Sequence, residues 1–254
     1  MYKKFRLLSF AFIALFFTGC LNDNRDPQPQ FLQSLVTIEN PELKKQFFMR
    51  RDDDKLLWFA EGYTDYFKPE DGSRYLIYYN ILSDKTETGM YDYDVRVTDA
   101  MEVLTKGIFN ITPETQDSIG NDWTEINSLW IGRNYLNISF YYRGYANDTP
   151  HYINLVSDSS KVFTDNKIHL EFRHNANNDD QFYQFAGLAS FDISALQVED
   201  ADSVMIAVHV SSFDDTLEQI HNVTYKYGNA NNNDNTSEEE PNPVLRKTLN
   251  SFVQ

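Results

Sequence analysis

Short runs of aromatic and β-branched residues recur along this chain, and each is closed by Asn, Asp, Ser or Gly. Arg74 to Leu82 (RYLIYYNIL) is the clearest, ended by Ser83-Asp84. Tyr91 to Val97 (YDYDVRV) alternates ring or Val with charge, the period-two pattern of a strand with one wet face. Runs of the same kind cover Phe31 to Ile38, Lys55 to Ala60, Leu129 to Ile131, Asn134 to Tyr142, His151 to Val156 and Lys167 to Arg173. Phe182 to Phe191, Ser203 to Val210 and Val223 to Tyr227 complete the series. Few convincing long amphipathic helical patterns lie between them. The chain is therefore expected to be all-β, a sandwich or barrel. Its 19 Phe, 16 Tyr and 3 Trp suit the half-buried surface of a sheet.

The N-terminus carries a different pattern. Lys3, Lys4 and Arg6 precede an almost unbroken apolar run from Leu7 to Phe17, then Thr18, Gly19 and Cys20. As a helix that run rises only ~16 Å, too short for a hydrocarbon core of ~30 Å. Residues 1–19 read as a secretory signal. Phe17-Thr18-Gly19-Cys20 resembles a bacterial lipobox, which makes Cys20, the chain's single cysteine, the expected lipidation site. Phe17 stands where Leu is more usual. Acyl chains contribute ~0.8 kcal/mol per buried CH₂, and stable anchoring takes more than one. Residues 20–30 then form a polar tether with Pro27 and Pro29.

Charge narrows the partners. The chain has 38 acidic and 22 basic residues, a formal net charge of −16. Removal of a leader that holds three bases and no acid takes it to −19. Nucleic acid, whose phosphates demand a basic patch, is excluded as a partner. Adsorption to anionic lipid is excluded too, so the membrane is reached through the lipid anchor at Cys20. An outer-membrane lipoprotein, facing the periplasm or the cell surface, is the expected location.

Several segments carry a resemblance as a set. They are Tyr91-Asp92-Tyr93-Asp94-Val95-Arg96-Val97, Leu104-Thr105-Lys106-Gly107-Ile108, Asp117-Ser118-Ile119-Gly120-Asn121-Asp122 and Trp130-Ile131-Gly132-Arg133-Asn134-Tyr135-Leu136-Asn137. His151-Tyr152-Ile153-Asn154-Leu155-Val156 and Leu170-Glu171-Phe172-Arg173-His174-Asn175-Ala176 follow in order. Over residues 31–227 the chain resembles the NigD-like lipoproteins of Bacteroidetes. Arg133 departs from the pattern, where a second glycine is expected. The resemblance implies an N-terminal OB-like barrel (31–112) followed by a C-terminal β-sandwich (113–227), parted near Ile111 to Glu114 where Pro113 breaks a strand. It implies no established activity and assigns no catalytic residue. The family name comes from association with a bacteriocin operon, which suggests an immunity or accessory role. Residues 228–254, beginning GNANNNDNTSEEE, hold too little apolar surface to offset ordering entropy and are read as a disordered tail.

Candidate chemistry is sparse. His169-x-Glu171-x-x-His174 is the densest cluster, but a strand puts His169 and Glu171 on one face and His174 on the other, short of a converging metal set. Asn175 to Asp180 supplies oxygen ligands without the fixed glycine of a calcium loop, and Asp52-Asp53-Asp54 reads as a turn. Glu125 and Glu171 are the carboxylates a hydrolase would recruit, with no sign of a shared pocket. No metal, no cofactor and no enzymatic activity are expected. Asp117-Ser118-Ile119, Asp202-Ser203-Val204 and Asp215-Thr216-Leu217 fit a short O-glycosylation pattern. The remaining signal is aromatic: Trp123, Trp130, Tyr135, Tyr141, Tyr142 and Tyr145 cluster in sequence as a candidate ligand platform for a protein or glycan, or as core.

Overall fold

The computed structural model describes residues 31–43, 46–62, 67, 69–84, 89–145, 149–210 and 219–228. The leader, Cys20, the tether, Asp215-Thr216-Leu217 and the tail beyond Gly228 lie outside the described residues. The fold is all-β.

Five strands close into a barrel in the order β1-β2-β3-β5-β4. They are β1 (Leu32–Leu43), β2 (Gln46–Arg51), β3 (Leu56–Gly62), β4 (Arg74–Asp84) and β5 (Tyr93–Glu102). Every neighbour pair is antiparallel except β3 with β5. Strand alternation sends every second side chain inward. Val36 and Ile38, Phe47 and Met49, Leu57 and Phe59, Tyr75, Ile77 and Tyr79, and Val95 and Val97 fill the barrel. Burying each large apolar side chain contributes roughly 1.5–3 kcal/mol.

Two sheets form the sandwich. One has the order β14-β13-β11-β10-β7 and the other β6-β12-β9-β8. The strands are β6 (Leu104–Gly107), β7 (Phe109–Ile111), β8 (Thr124–Gly132), β9 (Tyr135–Gly144), β10 (Tyr152–Asp158), β11 (Ile168–Asn175), β12 (Tyr183–Asp192), β13 (Ser203–Val210) and β14 (Gln219–Lys226). A one-turn helix α1 (Gln116–Ile119) links β7 to β8. Leu136, Ile138 and Phe140 from one sheet meet Leu155, Leu170, Phe172 and Val208 from the other.

Two short strands lie just before the expected division of the chain. β6 pairs in parallel with β12, and β7 in parallel with β10. Residues 104–111 therefore belong to the sandwich, one strand in each sheet. Just before them, Val103 bonds back to the Arg74 carbonyl of the barrel. Pro113 opens the turn before α1, inside the second domain. β2, β6 and β7 escaped the sequence reading; β13 matches it residue for residue.

Barrel and sandwich meet over the outer face of the β6-β12-β9-β8 sheet. Leu35, Leu76 and Val103 pack there with Leu188, Met101 and Trp130. Beside this apolar contact lies a polar one. The guanidinium of fully buried Arg74 donates to Thr37 Oγ1 (3.0 Å), Asp52 Oδ2 (2.9 Å) and Asn137 Oδ1 (3.2 Å). Asn137 Nδ2 donates to Asp52 Oδ2 at 3.0 Å, and Ser190 Oγ to Asn137 Oδ1 at 2.7 Å. Arg74 also lies 4.1 Å over the Tyr135 ring. Burial pushes the Asp52 carboxyl above the usual carboxylate range, opposed by Arg74 and Asn137. Removing one partner of such a pair leaves a buried charge uncompensated, at a cost of about 3–5 kcal/mol.

Candidate binding surface at the sandwich rim

β9 alternates strictly at its core end: Leu136, Ile138, Phe140 and Tyr142 point between the sheets. Above them the core changes character. Tyr142 stacks on Phe185 at 5.6 Å and meets the rings of His151 (4.9 Å) and His174 (5.6 Å). Burial, then the nearby Asp179 charge, pushes the Tyr142 hydroxyl up to about 12.

His151 and His174 are both buried, with His151 Nδ1 2.7 Å from His174 Nε2. His174 Nδ1 faces the Trp123 carbonyl at 3.2 Å, and a carbonyl only accepts, so Nδ1 carries the hydrogen. His174 Nε2 is then the acceptor for His151. On the other side His151 Nε2 lies 3.2 Å from Asp179 Oδ2, so both its nitrogens face acceptors. Desolvation, and then the His151 charge, hold His174 down at about 4, which keeps its lone pair available. Asp179 Oδ2 also accepts the Tyr145 backbone N–H at 2.7 Å. The position above is Gly144, where a Cβ would come within 2.9 Å of Asp179 Oδ2 and 3.1 Å of His151 Nε2.

This buried chain of polar groups supports an exposed aromatic cluster. Tyr145, Phe182 and Tyr183 are 55%, 72% and 58% exposed, yet they touch one another. Tyr145 stacks on Tyr183 (6.0 Å, 15°) and meets Phe182 edge-on (5.6 Å, 80°). The register Tyr183↔Gly144 brings them together, because Tyr145 directly follows Gly144 and Phe182 directly precedes Tyr183. Trp123 sits nearby on the same end, with the Arg143 guanidinium 4.9 Å over its ring.

The six aromatics singled out in the sequence do not form one surface. Tyr142 is core, Trp130 and Tyr135 lie at the barrel contact, Tyr141 is on the outer sheet face opposite Glu125 and Ala186, and Tyr145 alone joins the exposed cluster. The separation follows from strand parity and from the length of β9, which carries its two ends to opposite ends of the sheet. Phe182 and Tyr183, absent from that set, complete the cluster from a strand about forty residues onward.

The other candidate groups also have defined places. His169 and Glu171 face outward and His174 inward, and among the described residues no set of His, Cys, Asp or Glu could hold a metal ion. His169 bonds Asp165 and His209, each at 2.7 Å. Glu171 is held by Lys161 and Arg173. Glu125 lies on the outer face of one sheet and Glu171 on that of the other, so the two cannot flank one glycosidic bond. Asn177 and Asn178 have positive φ in the turn that carries Asp179 inward. Asp52 turns to Arg74, Asp53 to Arg51, and Asp54 to Arg133.

Models of two domains match the chain in this order: the NigD-like N-terminal OB domain over residues 35–103, and the NigD-like C-terminal β-sandwich domain over residues 107–225. The chain belongs to the NigD-like family. No curated protein matches its sequence. Among solved structures, this NigD-like chain is similar to a Parabacteroides distasonis protein named as toxin related, at 28% identity and TM-score 0.66, covering 79% of this chain and 96% of that one. A NigD-like immunity protein of Bacteroides caccae shares the fold at 16% identity and TM-score 0.57, covering 79% and 98%. A Bacteroides fragilis protein named as a lipoprotein does so at 12% identity and TM-score 0.57, covering 79% and 100%.

Proposed function

We propose that this NigD-like protein is a non-enzymatic lipoprotein of the cell envelope, anchored through acylated Cys20 and acting as a binding or accessory module. The exposed Tyr145–Phe182–Tyr183 cluster carries the reading: aromatic side chains that touch each other in solvent have the composition and geometry of a binding hot spot. Its partner is a macromolecule or glycan of the envelope. The lipobox and polar tether support the anchor, and the naming of one structural neighbour as a lipoprotein agrees with it. Labelling cells with a palmitate analogue tests the anchor: label is expected on the wild-type chain, and label retained by Cys20→Ala overturns it. Capture from envelope extract tests the surface, with recovery of a partner that Tyr145→Ala and Tyr183→Ala both lose.

A second reading is immunity against a toxin. It is favoured by the naming of one neighbour as a NigD-like immunity protein and another as toxin related. Protection of sensitive cells by expression of this chain, lost with Tyr183→Ala, would support it over a housekeeping partner.

A further inference from the structure

The outer face of the barrel carries a second aromatic surface. Along β2 and β3 the barrel interior takes Phe47, Met49, Leu57 and Phe59. Alternation turns Phe48 and Trp58 outward. They pair directly across the ladder, with ring centroids 4.9 Å apart. Tyr91, just before β5, stacks on Trp58 at 5.6 Å and 17°. The register extends on both sides: Glu39 of β1 lies opposite Phe48, and Asp94 of β5 opposite Trp58. One row across four strands therefore reads carboxylate, phenyl, indole, carboxylate. Glu39 receives both Arg50 Nε (2.6 Å) and Arg50 Nη2 (2.9 Å), and Asp94 accepts from the Ser83 hydroxyl.

In OB barrels this β2–β3 face is where oligonucleotides or oligosaccharides bind. Charge separates the two. Around the row Arg50 is paired with Glu39, Arg51 with Asp53, Lys55 with Asp92, and Arg96 with Glu61. A single nucleic-acid strand needs a positive groove, and these cations are already neutralised. A neutral sugar needs something else: a flat ring against its C–H face, and carboxylate or guanidinium groups at the edge that exchange hydrogen bonds with hydroxyls. We propose that the row Glu39–Phe48–Trp58–Asp94, with Tyr91, is a binding site for a neutral oligosaccharide. The sugar's apolar face lies on Trp58, and its hydroxyls engage the Glu39–Arg50 pair and Asp94. The site shares no residue with the sandwich rim and stands independently of it.

Calorimetric titration of the full-length protein with neutral gluco-, manno-, xylo- and galacto-hexasaccharides tests this. At least one should bind, and Trp58→Ala should weaken it by about tenfold or more, a loss of ~1.4 kcal/mol. Tyr145→Ala should bind as wild type. A readout on the unaltered chain covers a Trp58→Ala variant that fails to fold: N-bromosuccinimide oxidation mapped by peptide mass, in which the bound sugar shields Trp58 and leaves Trp123 and Trp130 unchanged. The proposal is overturned if none of the four sugars binds or shields Trp58, if folded Trp58→Ala binds as well as wild type, or if single-stranded DNA or an anionic oligosaccharide binds more tightly than every neutral one.

Discussion

A Cβ added to Gly132 would sit 2.1 Å from the Asp52 carboxylate oxygen. Gly132 ends β8 in the sandwich and Asp52 follows β2 in the barrel, so a missing side chain in one domain makes room for a buried acid from the other. The obstructed atom is the one that binds Arg74 and Asn137. Gly132→Ala should lower stability by about 1–3 kcal/mol, the usual range for overpacking. Chemical denaturation should record it, with Arg74→Ala costing more because Asp52 is then left unpaired.

Acid should act at the other end of the sandwich. His174 is held at about 4 against an ordinary value of 6.5. Between those pH values the unfolded chain takes up a proton that the folded one refuses, so stability is full above about pH 6.5 and falls as pH drops toward 4. The loss from this group is at most about 3 kcal/mol. Denaturation midpoints across that window should show the slope, and His174→Asn should flatten it.

Arg133 occupies a left-handed turn position, φ +54°, between β8 and β9. It pairs with Asp54 at 3.0 Å and more loosely with Glu39 at 3.8 Å, with its side chain one-third exposed. An L side chain there costs roughly 1–2 kcal/mol, and exposed pairs return at most about 1. Arg133→Gly should therefore stabilise the chain by up to about 1 kcal/mol, and the gain should grow as salt screens the lost pair.

At the rim, stability and binding should separate. Tyr145→Ala and Tyr183→Ala remove exposed rings, so the melting transition should move by no more than about 0.5 kcal/mol equivalent. Partner affinity should fall by about 2 kcal/mol, roughly thirtyfold, for a hot-spot aromatic. Surface plasmon resonance against the captured partner reads this directly; unchanged affinity in both variants would remove the rim from consideration.

Strand identity was largely legible, because a period of two survives in single sequences wherever one sheet face is wet. β2 was hidden by adjacent Phe47 and Phe48, which mask the alternation, although only Phe47 is core. β6 and β7, four and three residues long, are too short to show a period. Arg133 shows the reverse case: the glycine expected there is explained by its positive φ. The rim was half legible. Tyr145 stood out, but nothing local says that Tyr183 will face Gly144, since that depends on how β12 registers on β9. The row on the barrel was missed for the same reason, its four members coming from four strands.

The eight residues from Leu104 to Ile111 do more than connect the domains. β6 lies at one margin of its sheet beside β12, and β7 at one margin of the other beside β10. β6 covers Ala189 to Asp192 of β12, and β7 covers Val156 to Asp158 of β10, with chain that emerges directly from the barrel. A fragment beginning at Pro113 would leave the backbone groups of β12 and β10 open to recruit a strand from another molecule. Barrel and sandwich are accordingly not modules to be exchanged at a linker: the segment leaving the first supplies one strand to each sheet of the second.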